Sequence, residues 1–295
     1  MPPRPTDMPA RRHRQLRWIV AVATVVALGT LSLAGAMLLE ARSLRVTRVA
    51  YASPDLPAAL DGLRIAFVSD IHHGPFVSRA RVRELVARVN ALRPDVVVLG
   101  GDYVYRREAA LAPVFDELSQ LRTPLGVYGV LGNHDHSFLD SRVRPLMRAA
   151  DVHDLYDSGV WLRRGDARLR LGGLSGLSES RPALEDALGG ATAQDFVILV
   201  SHSPDVAEAL GGSAVDLVLA GHTHGGQVTV FGLWAPFVAS RYGQKYRAGL
   251  VSDGPVPTLV TTGVGTITLP FRLFAPPEIV LLTLQHSDGT SEASH

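Results

Sequence analysis

The chain has 295 residues, a formal net charge of +1 and 46% apolar residues. That length holds one large domain or two small ones around a sizeable core, and the balanced charge offers no global attraction for nucleic acid or an acidic partner. Cysteine is absent, which excludes disulfide scaffolds, thiolate metal sites and cysteine nucleophiles.

Residues 1–17 are polar and rich in proline and arginine, with Arg4, Arg11, Arg12, Arg14 and Arg17. An uncharged run from Trp18 to Leu39 follows and stops at Glu40. As a helix it would extend about 33 Å, enough to cross a hydrocarbon core of about 30 Å. Trp18 stands where an interfacial aromatic anchor belongs. The expectation is a retained transmembrane helix over 18–39. Its preceding arginines put the amino terminus inside and the rest of the chain outside, although Arg42, Arg45 and Arg48 on the far flank pull the other way. The small-x-small stretch Ala34-Gly35-Ala36 keeps a cleaved signal peptide open as an alternative, and a buried globular helix is the third reading.

From Val46 to residue 285 short β-rich apolar runs alternate with helical patterns, the signature of a layered α/β catalytic domain. A strand is predicted over Arg64–Ser69. A helix over Ser78–Leu92 is capped by Ser78, carries Val82, Leu85, Val86 and Val89 on one face, and is stopped by Pro94. Val96–Leu99 reads as a strand, Glu108–Leu121 as a helix with Pro113 near its start or at a kink, and Leu125–Leu131 as a strand. A helix is predicted at Arg142–Ala150. Further strands fall at Val160–Leu162, Arg168–Leu171, Phe196–Val200, Asp216–Ala220, Thr258–Thr262 and Ile279–Leu284. The polar stretch 286–295 reads as a disordered tail.

Five of the apolar runs end in polar clusters: Asp70-Ile71-His72, Gly100-Gly101-Asp102, Gly132-Asn133-His134-Asp135, Ser201-His202 and Gly221-His222-Thr223-His224. Ligands in α/β sheets bind beyond the carboxyl ends of strands, so neighbouring strands can bring all five clusters to one rim. In Asp70-x-His72 and His222-x-His224 the paired residues lie two apart, and on an extended strand end they would point the same way. Each cluster alone has an ordinary explanation: Asp-x-His as a cap, Gly-Asp as a turn. Together and in this order they make a set of carboxylate, amide and imidazole donors without sulfur, suited to Mn, Fe or Zn and also to Mg. Asp70, His72, Asp102, Asn133, His202, His222 and His224 are too many for one ion. Two divalent ions about 3.5–4 Å apart, sharing a carboxylate, would use them all.

This motif series, D-x-H, G-D, G-N-H-[ED], H and G-H-x-H, resembles the calcineurin-like metallophosphoesterase superfamily over about residues 62–285. Gly221–Val228 (GHTHGGQV) and Pro270–Ile279 (PFRLFAPPEI) are most similar to its bacterial membrane-associated phosphodiesterase group. The resemblance implies a double β-sandwich flanked by α-helices. It implies a first metal held by Asp70, His72 and His224, a bridging Asp102, and a second metal held by Asn133, His202 and His222. His134 would then be the catalytic histidine, protonating the leaving oxygen or stabilising the phosphoryl charge. The segment Gly101-Asp102-Tyr103-Val104-Tyr105-Arg106 departs from the G-D-x-x-D-R of many superfamily phosphatases: Tyr105 replaces the aspartate that orients the histidine. Arg106 stands where those enzymes bind phosphate. It and His73, which replaces a common leucine near the rim, are candidate substrate contacts; for each the plainer reading is a solvated surface residue. His136 reads as His73 does, and the scattered Tyr103, Tyr105, Trp234, Tyr242 and Tyr246 read as groove or packing residues.

The implied activity is hydrolysis of phosphodiester or pyrophosphate bonds at the bacterial cytoplasmic membrane, on a lipid or lipid-linked nucleotide. A UDP-2,3-diacylglucosamine pyrophosphatase is the alternative. A nuclease is disfavoured, because no basic stripe with interleaved aromatics is present. A non-catalytic scaffold is a further class, but such members usually lack the histidine or several ligands that this chain keeps.

Overall fold

The structure, a computed structural model, describes residues 8–175 and 181–288; residues 1–7 and 289–295 of the two terminal segments lie outside it. Helix α1 (Met8–Arg42) is continuous through the apolar run. Its Arg12–Arg42 portion is long and apolar enough to cross a membrane. Two residues later the chain enters strand β1 (Arg45–Ser53), so α1 leads straight onto the edge of a sheet. The expectation placed no strand there, because its burial is mixed and only one face shows an apolar repeat.

Strands β2 (Arg64–Val68) and β3 (Val96–Leu99) flank helix α2 (Arg79–Leu92), whose Ser78 hydroxyl accepts the Arg81 N–H as the predicted cap. The helix predicted over 108–121 is shorter. A 3-10 turn at Glu108–Ala110 precedes helix α3 (Leu111–Leu118), and Pro113 falls in its first turn, where the missing N–H costs nothing. Strand β4 (Val127–Gly129) leads into helix α4 (Asn133–Ala149), which starts nine residues before the predicted Arg142. The first turn of α4 is made of Asn, His and Asp and carries no apolar period to read. The chain continues through β5 (Val152–Asp154), β6 (Ser158–Arg164), β7 (Ala167–Gly173) and α5 (Arg181–Leu188). It closes with β8 (Val197–Val200), β9 (Leu217–Ala220), β10 (Gly249–Val251), β11 (Thr258–Val260) and β12 (Glu278–His286).

Two six-stranded mixed sheets form, ordered β1-β12-β2-β3-β4-β5 and β10-β11-β9-β8-β7-β6. Alternation along the strands divides the apolar residues between layers. Ile65, Phe67, Val96 and Val98 of the first sheet meet Leu169, Leu171, Ile198 and Leu219 of the second. Ala66, Val68, Val97 and Leu99 face Val82, Leu85 and Val86 of α2, Val114 and Phe115 of α3 and Met147 of α4. Val197, Leu199 and Val218 face Ala183 and Ala187 of α5. The result is the expected double sandwich with helices outside both sheets. Strands β2, β3 and β4 are mutually parallel, as are β7, β8, β9 and β11, so their carboxyl ends gather at one rim.

Candidate metal centre

All five polar clusters lie at that rim, at the ends of β2, β3, β4, β8 and β9. Backbone bonds tie the turns to each other. Asp70 N donates to Gly101 O at 3.0 Å, His72 N to Asp102 O at 3.0 Å, and Gly221 N to His202 O at 3.0 Å. The turns are tight: Asp70, His72, Asp102, His222 and His224 all have φ between 50° and 69°. The paired residues therefore do not share a site by extended alternation, as expected from their spacing. Each sits in the left-handed region, which Asp and His tolerate better than most residues, and the turn between them re-aims both side chains.

The side-chain donors converge closely. His72 Nε2 is 3.1 Å from His224 Nε2, His202 Nε2 is 3.1 Å from Asn133 Oδ1, and His222 Nδ1 is 3.2 Å from His202 Nε2. The carboxylates lie at the same spacing, with Asp70 Oδ1 3.4 Å from His224 Nε2 and Asp102 Oδ2 3.3 Å from His202 Nε2 and 3.5 Å from His72 Nε2. Asp70, His72 and His224 form one group able to hold an ion; Asp70, Asp102 and His202 form a second, and His72, Asp102 and His134 a third. Donors about 2.0–2.2 Å from a common cation are separated by about 3.0–3.5 Å, so the observed edges fit ions at the centre. It is His72 Nε2 that faces these donors; the ring's other nitrogen, Nδ1, is buried without a protein partner.

Burial is graded across the cluster. Asp70, His72, Asp102, His202 and His224 are buried, His222 and His134 half-buried, and Asn133 exposed. One side of the centre is closed, and the Asn133–His134–His222 side opens to solvent. Burial pushes His224 down to about 3, and it also lowers His72 and His222. Burial acts the same way on His202, but the Asp102 carboxylate overcomes it and raises that ring to about 10. Asp102 itself, although burial disfavours its charge, is held well below the usual carboxylate range by His202 and His72. Asp70 is lowered against burial by His224 and His202.

His134 is the second residue of α4; its backbone N–H donates to Asp102 Oδ1 at 2.8 Å. Its ring meets the edges of Tyr105 and His72 at centroid distances of 5.3 and 5.0 Å. Tyr105 thus packs where the missing aspartate was expected, and its hydroxyl accepts the Thr268 N–H at 3.0 Å. Arg106 is exposed, with its guanidinium 4.9 Å over the Tyr105 ring. His73 is not a solvated loop residue: it is buried, its Nδ1 donates to Val77 O at 2.7 Å, its N–H donates to Tyr103 O and its C=O accepts the Tyr105 N–H. Tyr103 and Tyr246 are buried, with their hydroxyls on Val130 O and Glu208, whereas Trp234 and Tyr242 are exposed.

Two residues at the centre were given no role by the sequence reading, although both lie in segments it singled out. Asp135 is fully buried and its carboxylate accepts three backbone N–H bonds, from Asp102 at 2.7 Å, Gly132 at 2.9 Å and Tyr103 at 3.0 Å, locking the β3 and β4 turns together. Burial and the neighbouring Asp102 charge raise it to about 8, although those N–H bonds pull it down. An acid three positions after Gly132 is the available signal, since that position reaches back to a helix N-cap. Arg272 is also fully buried; it donates to the carbonyls of Gly265, Thr262, Ala275 and His224 and so braces the turn that carries His224. It lies in the Pro270–Ile279 segment, where nothing local marks its bonding role.

A buried set of oxygen and nitrogen donors with one open side, at the carboxyl ends of two facing sheets, defines a hydrolytic metal centre. The calcineurin-like phosphoesterase family matches residues 63–226, and the chain belongs to it: it is a metal-dependent phosphoric ester hydrolase. It is 29% identical over 257 residues to the metallophosphoesterase YkuE of Bacillus subtilis, covering 85% of this chain and 88% of that protein. It is 28% identical to the phosphodiesterase YaeI of Escherichia coli, covering 75% and 82%. A transmembrane protein with a metallophosphoesterase domain from Danio rerio is 31% identical over 79% of this chain and 55% of that protein.

Proposed function

We propose that the chain is a membrane-anchored phosphodiesterase using two divalent ions, with Mn, Fe or Zn favoured by the mixed imidazole and carboxylate set. The single observation that carries this is the graded cluster around Asp102, whose donor-to-donor edges run from 3.1 to 3.5 Å. Asp70, His72 and His224 would hold one ion, Asn133, His202 and His222 the other, and Asp102 both. Bound there, the ions would supply positive charge against the phosphate and lower the pKa of a water molecule.

The chain's own residues do the rest. His134 lies on the open side, anchored through its backbone to Asp102, and its ring is fixed by Tyr105 and His72. An imidazole nitrogen there can give its proton to the departing ester oxygen, which an alkoxide leaving group needs. Arg106, exposed and stacked over Tyr105, would be the phosphate contact. The diester preference follows the likeness to YaeI. The membrane setting follows the apolar α1 and the transmembrane relative, with the domain on the extracytoplasmic side and a lipid or lipid-linked nucleotide as substrate. Comparing bis-(p-nitrophenyl) phosphate with p-nitrophenyl phosphate in the presence of Mn²⁺, then screening lipid-linked pyrophosphates, tests the reading. No turnover of any of these with any divalent metal would end it.

A further inference from the structure

The last two turns of α1 do not stand clear of the catalytic domain. Residues from Arg12 to Leu33 are all exposed, whereas Ala34, Gly35, Met37, Leu38, Glu40 and Ala41 are half-buried. Arg272 N donates to Met37 O at 3.2 Å and Ala275 N to the Glu40 carboxylate at 2.7 Å. The apolar helix free of the domain therefore runs only from Trp18 to Leu33, which at 1.5 Å per residue is about 24 Å. A hydrocarbon core is about 30 Å thick. Completing the span requires about four more residues, and these reach Met37, which is bonded to the domain. The domain surface next to Met37 then lies at the level where the acyl chains end.

That surface is apolar. Among the described residues outside α1, the exposed large hydrophobic side chains fall at Phe76 and between residues 230 and 274, among them Phe231 (75% exposed), Leu233 (81%), Trp234, Phe237 (70%), Leu269 and Phe274. The segments 227–234 and 273–274, which carry Phe231, Leu233, Trp234 and Phe274, form one bonded unit. Thr229 N donates to Leu273 O and Leu273 N to Gln227 O, and the Phe231 and Phe274 rings lie 5.6 Å apart. Phe274 is flanked by the very residues that bond α1. The same stretch follows directly on the His224–Gly226 turn, and a cavity of about 200 Å³ is lined by His224 together with Val228, Phe237 and Ile267.

We propose that this apolar rim seats in the lipid bilayer surface, with Phe231, Leu233, Trp234 and Phe237 among head groups and upper acyl chains. This rests on reading α1 as a membrane span. Aromatic and large aliphatic side chains are favoured at that depth, and scattered so densely on a water-facing surface they would form an unusually large apolar patch. The domain is thereby fixed against the membrane at two places, the helix and the rim, and the metal centre opens at a set height above the lipid.

Because the chain has no cysteine, single nitroxide labels can be placed cleanly. The full chain is reconstituted in phosphatidylethanolamine/phosphatidylglycerol vesicles as Phe231→Cys, Leu233→Cys, Val26→Cys and Asp166→Cys. Val26 reports on the helix, and Asp166 on the β6–β7 hairpin tip at the opposite ends of the strands. Collision with oxygen relative to a water-soluble nickel chelate should be several-fold higher at 231 and 233 than at 166. Ratios at 231 and 233 equal to that at 166, with 26 in lipid, overturn the docking and leave the anchor standing. Labels at 231 and 233 shielded from both relaxants mean a protein partner or a second copy covers the rim, which also overturns it. A label at 26 in water removes the anchor and the docking with it.

Discussion

Gly221 separates the last residue of β9 from His222, and the space for a side chain there is already occupied. A methyl group at Gly221 would lie 2.3 Å from Asp70 Oδ2, 2.1 Å from Ser69 Oγ and 2.7 Å from Ser69 Cβ. Its φ is outside the left-handed region, so Gly221→Ala tests space and not backbone conformation. Ordinary contacts begin near 3.4 Å, so the Asp70 carboxylate must retreat by about 1 Å, and with it the acceptor of the His222 N–H at 3.0 Å. Overpacking of that kind costs about 1–3 kcal/mol of stability. A misplacement of about 1 Å costs about 10²-fold in turnover. The measurements are bis-(p-nitrophenyl) phosphate hydrolysis with Mn²⁺, metal content after dialysis, and thermal unfolding. Gly211→Ala, whose nearest neighbour would be Pro255 Cβ at 3.7 Å, is the matched control. Wild-type metal content and turnover in Gly221→Ala would refute the claim that Asp70 is held where a ligand must be.

His134→Ala should retain the metal content of the wild type and lose about 10²–10⁴-fold in turnover; near wild-type rates would remove the acid role. Asp102→Asn should lose metal occupancy together with activity, read by elemental analysis, and retained stoichiometric metal would contradict the shared-ligand assignment. Asp135→Asn turns an amide group toward one of three N–H donors, so it should lower stability by about 1–3 kcal/mol and shift the melting midpoint down; an unchanged midpoint would show that the turns do not depend on the tie. Burial raises Asp216 to about 6, above its value of 3.8 in the unfolded chain. The folded form thus binds the extra proton, and stability contributed by this group is present below about pH 4 and lost as pH rises toward 6. Asp216→Asn should therefore be more stable than wild type at pH 7, by about 1–2 kcal/mol once solvent on its half-exposed side is allowed for, with the difference vanishing near pH 4 in pH-resolved melting curves.

The parts of the fold legible in the sequence are those where one residue pattern had one cause. Strands β3, β8 and β9 are short, wholly apolar runs buried on both faces, and each runs straight into a donor cluster. Helix α2 shows both its cap and its apolar stripe. The start of α4 was hidden because Asn133, His134 and Asp135 serve the centre and leave no periodicity. The three-residue strands β5 and β10 are too short for alternation to declare itself. Spacing brought Asp70 to His72 and His222 to His224 for the wrong reason: the sequence carries no mark of left-handed backbone at Asp or His. Asp135 had a local signal only for its bond to Gly132, three positions back at the helix N-cap; its bonds to Asp102 and Tyr103, and all those of Arg272, reach backbone groups brought near only by the assembled turns.

The turns that present the donors are fastened by main-chain bonds and by Asp135 and Arg272, none of which involves an ion. Each tie spans more than one turn: Asp135 joins the turns after β3 and β4, and Arg272 joins the His224 turn to the 262–275 stretch. Loosening either tie would therefore disturb donors on two turns at once, so damage at one buried side chain spreads through the whole donor set.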